Sequence, residues 1–246
     1  MKEIFIGNFS LYEIAAYFFI YAFLGWITEV IFATLKNGKF VNRGFLNGPV
    51  CPIYGFGVVI VLLSLDSVKD NLLILFFASL LLTSILEFIT GFVLEKFFHK
   101  KWWDYSKEPF NIKGYVCARF SLLWAVACVL VVNVIHPLIH NAVSFLPDIA
   151  GYIFISVFTA VIIVDLSLTV LQITQFGKNH KEIEILNRQL KAGSDKLGES
   201  VSNLTVKTQE RLELLNNKIK NSRLVKAFPR LHREDKGEKT SSGKEE

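Results

Sequence analysis

The chain has 246 residues, of which 52% are apolar, including 22 Phe, more than an ordinary soluble domain carries. Residues 1–177 hold 11 Lys/Arg against 11 Asp/Glu, and residues 178–246 hold 16 against 11, so the whole net charge of +5 sits in the tail. A single soluble globular domain is excluded, and the basic excess reads as a membrane-surface or topology signal, with no nucleic-acid partner expected.

Hydropathy predicts five spans, at residues 11–35, about 45–65, 72–98, 115–135 and 149–176. The expected fold is therefore all-α, a polytopic membrane protein with five transmembrane helices. Loop 36–44 carries Lys36, Lys39 and Arg43, and loop 99–114 carries Lys100, Lys101, Lys107 and Lys113. Loop 66–71 has only Lys69, and loop 136–148 has none. With the basic tail, this bias predicts the N-terminus outside and the C-terminus in the cytoplasm. The N-terminus has no basic n-region or small-residue cleavage site and is expected to stay on the mature protein. Cys51, Cys117 and Cys128 form no CxxC pair and are expected to be buried small hydrophobes.

The junction between the first two spans, residues 42–57, holds four glycines, two prolines and Arg43. The apolar run after it, residues 52–65, gives only about 21 Å of helix, short of a hydrocarbon core of roughly 30 Å. Two readings are open. The helix starts near Gly44 and kinks at Pro49 and Pro52, or part of 42–51 is irregular backbone at membrane depth, tolerated only where protein or a wet cavity surrounds it. In the second, Pro52 opens a first helical turn, and it and the preceding glycines aim free backbone N–H groups into that cavity.

Ionisable groups inside spans are the best functional pointers, because each is costly unless paired or solvated. Glu29 lies about 27 Å along the first span and Glu87 about 22 Å along the third. Arg43, Arg119 and Asp165 fall in the same layer. A polar, cytoplasm-facing cavity is expected from Glu29, Glu87, Arg43 and Arg119, with Asn42, Asp104 and Asn111 as further candidates and Gly44, Gly48, Pro49, Pro52 and Gly55 as a backbone wall. The competing reading is a set of buried Glu–Arg pairs that fix helix register. Loop 99–114, with Trp102, Trp103 and Tyr105 among lysines, suits the headgroup layer. Asp104, Pro109 and Asn111 give it the look of a folded loop that caps the cavity.

A weak internal repeat of helix, loop and returning helix is visible. A shift of 70 lays Gly44-Phe45-Leu46 on Gly114-Tyr115-Val116 and Tyr54 on Trp124, and a shift of 58 lays Glu29 on Glu87. Beyond the membrane domain, residues 1–177, apolar residues recur at helical spacing from Ile183 to Ile219. This predicts one or two amphipathic helices over 178–228, with Gly193 and Gly198 as weak points. Gly193, Ser200, Lys207 and Arg211 break a strict heptad, favouring a loose self-association helix, through which a homo-oligomer could form, or a surface-lying helix. Residues 229–246 are highly charged and expected to be disordered.

No phosphate-binding loop, His-Glu-x-x-His or Gly-x-Ser-x-Gly occurs, so ATP hydrolysis by the first route is not expected in this chain and no catalytic motif is legible. His136 and His140 share a helical face with no third ligand, so neither a metal site nor another cofactor is expected.

Gly25-Trp26-x-x-Glu29, then Asn42-Arg43-Gly44-Phe45-Leu46-x-Gly48-Pro49-x-Cys51-Pro52-Ile53-Tyr54-Gly55, then Glu87, Trp103-Asp104-Tyr105-Ser106 and Phe110-Asn111-Ile112-x-Gly114 resemble bacterial membrane proteins labelled putative ABC-transporter type IV permeases. Many such relatives carry arginine directly after the last glycine; here Tyr115 follows and Arg119 comes later. The resemblance implies a bacterial cytoplasmic-membrane permease subunit served by a separate ATPase chain. The alternatives from the residues are a membrane-embedded enzyme or binding protein for a lipid or lipid-linked substrate, with Glu29 or Glu87 as general base, and a membrane scaffold whose tail recruits partners.

Overall fold

The computed structural model describes residues 5–42, 44–99, 101–146, 148–173 and 181–220. Arg43 and the charged segment 229–246 therefore lie outside the described residues. A two-residue strand pair, Phe5–Ile6 with Phe9–Ser10, leads into α1, Leu11–Asn37. Ser10 and Glu13 form a capping box that satisfies the first amides of α1, and Gly38 ends it in the left-handed conformation with φ 69°. The short α2, Pro52–Leu65, runs back along α1, followed by α3, Leu72–Phe98. Then come α4, Ala118–Leu130, a π-helical turn at Val131–Ile135, α5, His136–Ser144, α6, Asp148–Ile173, and α7, Lys181–Lys220.

Among the described residues, four stretches are long and apolar enough to cross a membrane: Leu11–Asn37, Leu72–Phe98, Ala118–Ser144 and Ile149–Leu171. The expected second span differs, since only Pro52–Leu65, 14 residues, is helical within it. A helix starting near Gly44 is not formed. Pro49 and Pro52 lack the amides a continuous helix would use, and the amides of Asn47 and Gly48 bond elsewhere. The amide of Cys51 donates to the carbonyl of Ala22 at 2.9 Å, which brings the extended segment 44–51 to the middle of α1. From that height α2 climbs to the end marked by Asn8, whose side chain donates to Asp66 at 2.6 Å.

The expected end of the fourth span at residue 135 is also revised. The helix continues through Pro137 to Ser144 because the wider π turn before it absorbs the missing amide and the bulk of the ring. Within the tail, residues 181–220 form one helix through both glycines. Gly198 is required by close approach, since a β-carbon there would overlap the ring of Phe40.

Helices α1 to α5 share a core near the Asn8 end, built from Tyr17, Tyr21, Val61, Leu62, Leu75, Cys128, Val132 and Val143. There the Tyr17 hydroxyl pairs with His140 Nδ1 at 2.6 Å and that of Tyr21 with His136 Nδ1 at 3.2 Å. Toward the opposite end, marked by Gly38, smaller clusters around Ala22, Leu46 and Val50 and around Trp26, Val30 and Cys51 hold the extended segment. All three cysteines are buried and free.

Candidate functional site

Two antiparallel helix pairs, α1 with α2 and α3 with α4, bring their carboxylates toward one layer. Glu29 stands on α1 and accepts the hydroxyl of Tyr54, from the first turn of α2, at 2.5 Å. Tyr54 reaches it because residue 25 is glycine: a β-carbon at that position would overlap the tyrosine ring. On its other side the ring meets Trp124 of α4 edge-on, with centroids 5.5 Å apart.

Glu87, on α3, is only 8% exposed. Its Oε1 accepts the Tyr105 hydroxyl at 3.1 Å, and the indole of Trp124 stands within reach of the same carboxyl. Glu87 Oε2 is buried without a hydrogen-bond partner. Tyr105 comes from the α3–α4 loop and stacks on Phe120 with centroids 4.6 Å apart. Burial, and after it the charge of Glu87 and its hydrogen bond, hold the Tyr105 hydroxyl well above the ordinary phenol range, with a smaller contribution from Glu29. It is therefore a fixed donor at neutral pH.

The extended segment forms the second half of the layer. Asp165 of α6, 2% exposed, accepts the backbone amides of Asn47 at 3.1 Å and Gly48 at 2.7 Å, together with the Asn47 side-chain amide at 3.1 Å. Asn47 also donates to Thr169 and to Asn187 of α7, at 3.0 and 3.2 Å. The glycine amides expected to face a cavity are thus taken up, that of Gly44 by Asn42 Oδ1 and that of Gly48 by the Asp165 carboxylate. Pro52 does open α2, and Gly55 lets the helix approach the Phe18 carbonyl closely, within 2.6 Å of where its β-carbon would stand. Pro49 is half-buried.

The remaining predicted residues fasten loops. Asn42 Oδ1 accepts from the Trp26 indole and the Gly44 amide, both at 3.1 Å, and its amide donates to Ser194 of α7 at 3.0 Å. Asn111 accepts from the Gly114 amide at 3.2 Å and donates to the carbonyls of Glu108 and Ser106. Asp104 accepts from the amide and hydroxyl of Ser106, and these bonds hold its exposed carboxyl below the usual carboxylate range. Arg119 is not brought to the carboxylates. Its side chain is 72% exposed and faces Glu108 at 3.6 Å and the ring of Phe120.

The donors to the two glutamates, Tyr54, Tyr105 and Trp124, were absent from the sequence-derived set, as were Asn47 and the α7 contacts. Tyr54 and Tyr105 lie inside the quoted motifs and were the detectable signal. The contacts of Asn187 and Ser194 span more than a hundred positions and leave no local trace. Beside the layer, a cleft of about 500 Å³ opens between the loop after α1 and α7, lined by Lys39, Phe40, Glu199, Ser202 and Asn203 among others.

The family model for Putative ABC-transporter type IV matches residues 16–170, and the chain belongs to that family. The matched region contains α2 to α5, the extended segment, both glutamates and Asp165, and it ends before α7. No curated protein and no solved structure matches the chain.

Proposed function

We propose that this family member is the membrane-embedded permease component of an ABC-type transporter, driven by a separate ATPase chain in a bacterial cytoplasmic membrane. The observation that carries the reading is Glu87, buried with one oxygen unpartnered beside a helix that begins only at mid-depth. Transporter sites are commonly built from intramembrane ionisable groups and discontinuous helices. In this reading α2 and the extended segment 44–51 together complete a fifth crossing, with the N-terminus outside and the C-terminus in the cytoplasm. The layer of Glu29, Tyr54, Trp124, Glu87 and Tyr105 is the closed form of a site that opens toward the cytoplasm when the two helix pairs part. Asn42, Asp104 and Asn111 hold the loops that frame it. The matching Asn–Gly loop clips, Asn42 to Gly44 and Asn111 to Gly114, favour the two pairs as copies of one repeat.

The test is affinity purification of the C-terminally tagged chain from native membranes in mild detergent, followed by mass spectrometry. A stoichiometric nucleotide-binding chain is expected, with its ATPase rate altered by Glu87→Gln while the complex stays intact. Recovery without an ATPase, but with one enriched lipid species, would replace this reading with lipid binding or lipid chemistry.

A further inference from the structure

Helix α7 presents three different faces. Asn187, Ser194 and Ser202 are 8%, 1% and 5% exposed, and with Gly198 they form the face turned to the protein. Leu186, Leu197, Leu204 and Leu215 are 47%, 49%, 67% and 54% exposed. At about 100° per residue these leucines form one stripe, roughly 80–100° around the helix from the buried face. Lys196, Asn203 and Glu210 lie on the far side, which carries exposed apolar residues only toward the helix ends, at Ile185 and Leu214. The helix thus buries small polar groups and leaves its leucines uncovered, the reverse of a helix packed onto a soluble core.

The contacts of α7 fix its height. Val201 packs against the cluster of Trp26, Val30 and Cys51, and Asn187 shares the side chain of Asn47 with Thr169. Trp26 and Val30 lie about 22 and 28 Å along α1 from Leu11, and Thr169 lies about 32 Å along α6 from Asp148. A hydrocarbon core is roughly 30 Å thick. Residues 187–201 therefore run at the lower boundary of that core, level with the outward-facing Ile31 and Leu35 of α1, which are 36% and 54% exposed.

We infer that the leucine stripe of α7 seats in the bilayer at its Gly38 end, so that α7 is a membrane-lying strap fastened to the extended segment through Asn42 and Asn47. The contacts of Val201 and Asn187 put the stripe at the height of these exposed apolar side chains of α1, which makes acyl chains the occupant. A second copy of the helix is a poorer fit, because Gly193, Ser200 and Arg211 stand between the leucines where a coiled coil needs apolar residues. Arg211 near the far end reaches headgroups along its aliphatic stem. This inference concerns α7 alone and does not depend on transport.

The test uses the full chain in nanodiscs of phosphatidylethanolamine and phosphatidylglycerol, with an environment-sensitive thiol dye at Leu197→Cys, Leu204→Cys or Asn203→Cys. The unsubstituted protein supplies the background, its three cysteines being buried. Dye at 197 and 204 is expected to emit to the blue and to be quenched several-fold more by doxyl-labelled lipid than dye at 203, with the order reversed for iodide. Equal iodide quenching at all three positions would overturn the inference. So would spontaneous disulfide dimers of Leu204→Cys with loss of lipid quenching, which would assign the stripe to a second copy.

Discussion

The Gly48 amide donates to Asp165 Oδ2 at 2.7 Å across 117 positions of sequence, and the same carboxylate takes the Asn47 amide. One acidic side chain on α6 thereby holds the non-helical backbone that lets α2 begin at the height of Ala22. Removing it strands two amides, each costing about 1–3 kcal/mol when left unsatisfied. Asp165→Ala is expected to lower the midpoint of thermal unfolding in detergent by roughly 5 °C or more. Asp165→Asn keeps one acceptor oxygen and should lose less. An unchanged midpoint for Asp165→Ala would mean that the segment is held by other groups.

Gly25 and Tyr54 form the second joint. A β-carbon at residue 25 falls on the first atoms of the tyrosine side chain, which cannot swing aside without moving α2. Gly25→Ala is expected to cost about 1–3 kcal/mol through overpacking and to draw the Tyr54 hydroxyl away from Glu29. The double variant Gly25→Ala with Tyr54→Ala should be less destabilised than the sum of the two single changes, read from thermal unfolding. Strict additivity would show that the two positions do not meet.

The membrane-protein class and the two intramembrane glutamates were legible because hydropathy and buried charge are local properties of a sequence. The irregular segment before Pro52 was legible as one of two readings, since a 14-residue helix cannot cross alone. The partners of those groups were not legible. Glu87 meets Tyr105 only because the α3–α4 loop folds back over α3, and Arg119, expected beside the glutamates from its depth alone, turns to Glu108 instead. Depth along a helix can be counted, but the direction in which a side chain leaves it depends on neighbours far away in sequence. The fourth helix ran past its expected end for a related reason: Pro137 reads as a stop, and the π turn that accommodates it has no sequence signature of its own.

Tyr105 and Glu87 allow the charge on the buried carboxyl to be tested directly. A hydrogen bond to a charged acceptor contributes about 1.5–3 kcal/mol, and one to a neutral acceptor about 0.5–1.5 kcal/mol. If Glu87 is ionised in the folded protein, Tyr105→Phe should cost more in the native background than in Glu87→Gln, where an amide oxygen remains to receive the hydroxyl. The difference in unfolding midpoint between the two backgrounds measures this coupling. Equal losses would mean that Glu87 carries no charge when the layer is closed.

Gly114 closes the loop that delivers Tyr105. It has φ 75°, and a β-carbon there would stand 2.5 Å from both Asp104 Oδ1 and Ser106 Oγ, two atoms that hydrogen-bond to each other. An L-residue in the left-handed region costs about 1–2 kcal/mol before any clash is counted. Gly114→Ala should therefore open the loop, and trypsin should cut after Lys107 and Lys113 faster than in the native chain. Acid should act on the same bond. The Asp104 carboxyl is held below its ordinary range by Ser106, so the stabilisation is present above the unfolded-state pKa and is lost as pH falls through the folded one. Hydrogen exchange over residues 105–114, corrected for intrinsic rates, is expected to lose protection on acidification in the native chain but not in Asp104→Asn. Protection that persists at acid pH in both would assign the loop's order to Asn111 and the stacked Tyr105, independent of Asp104.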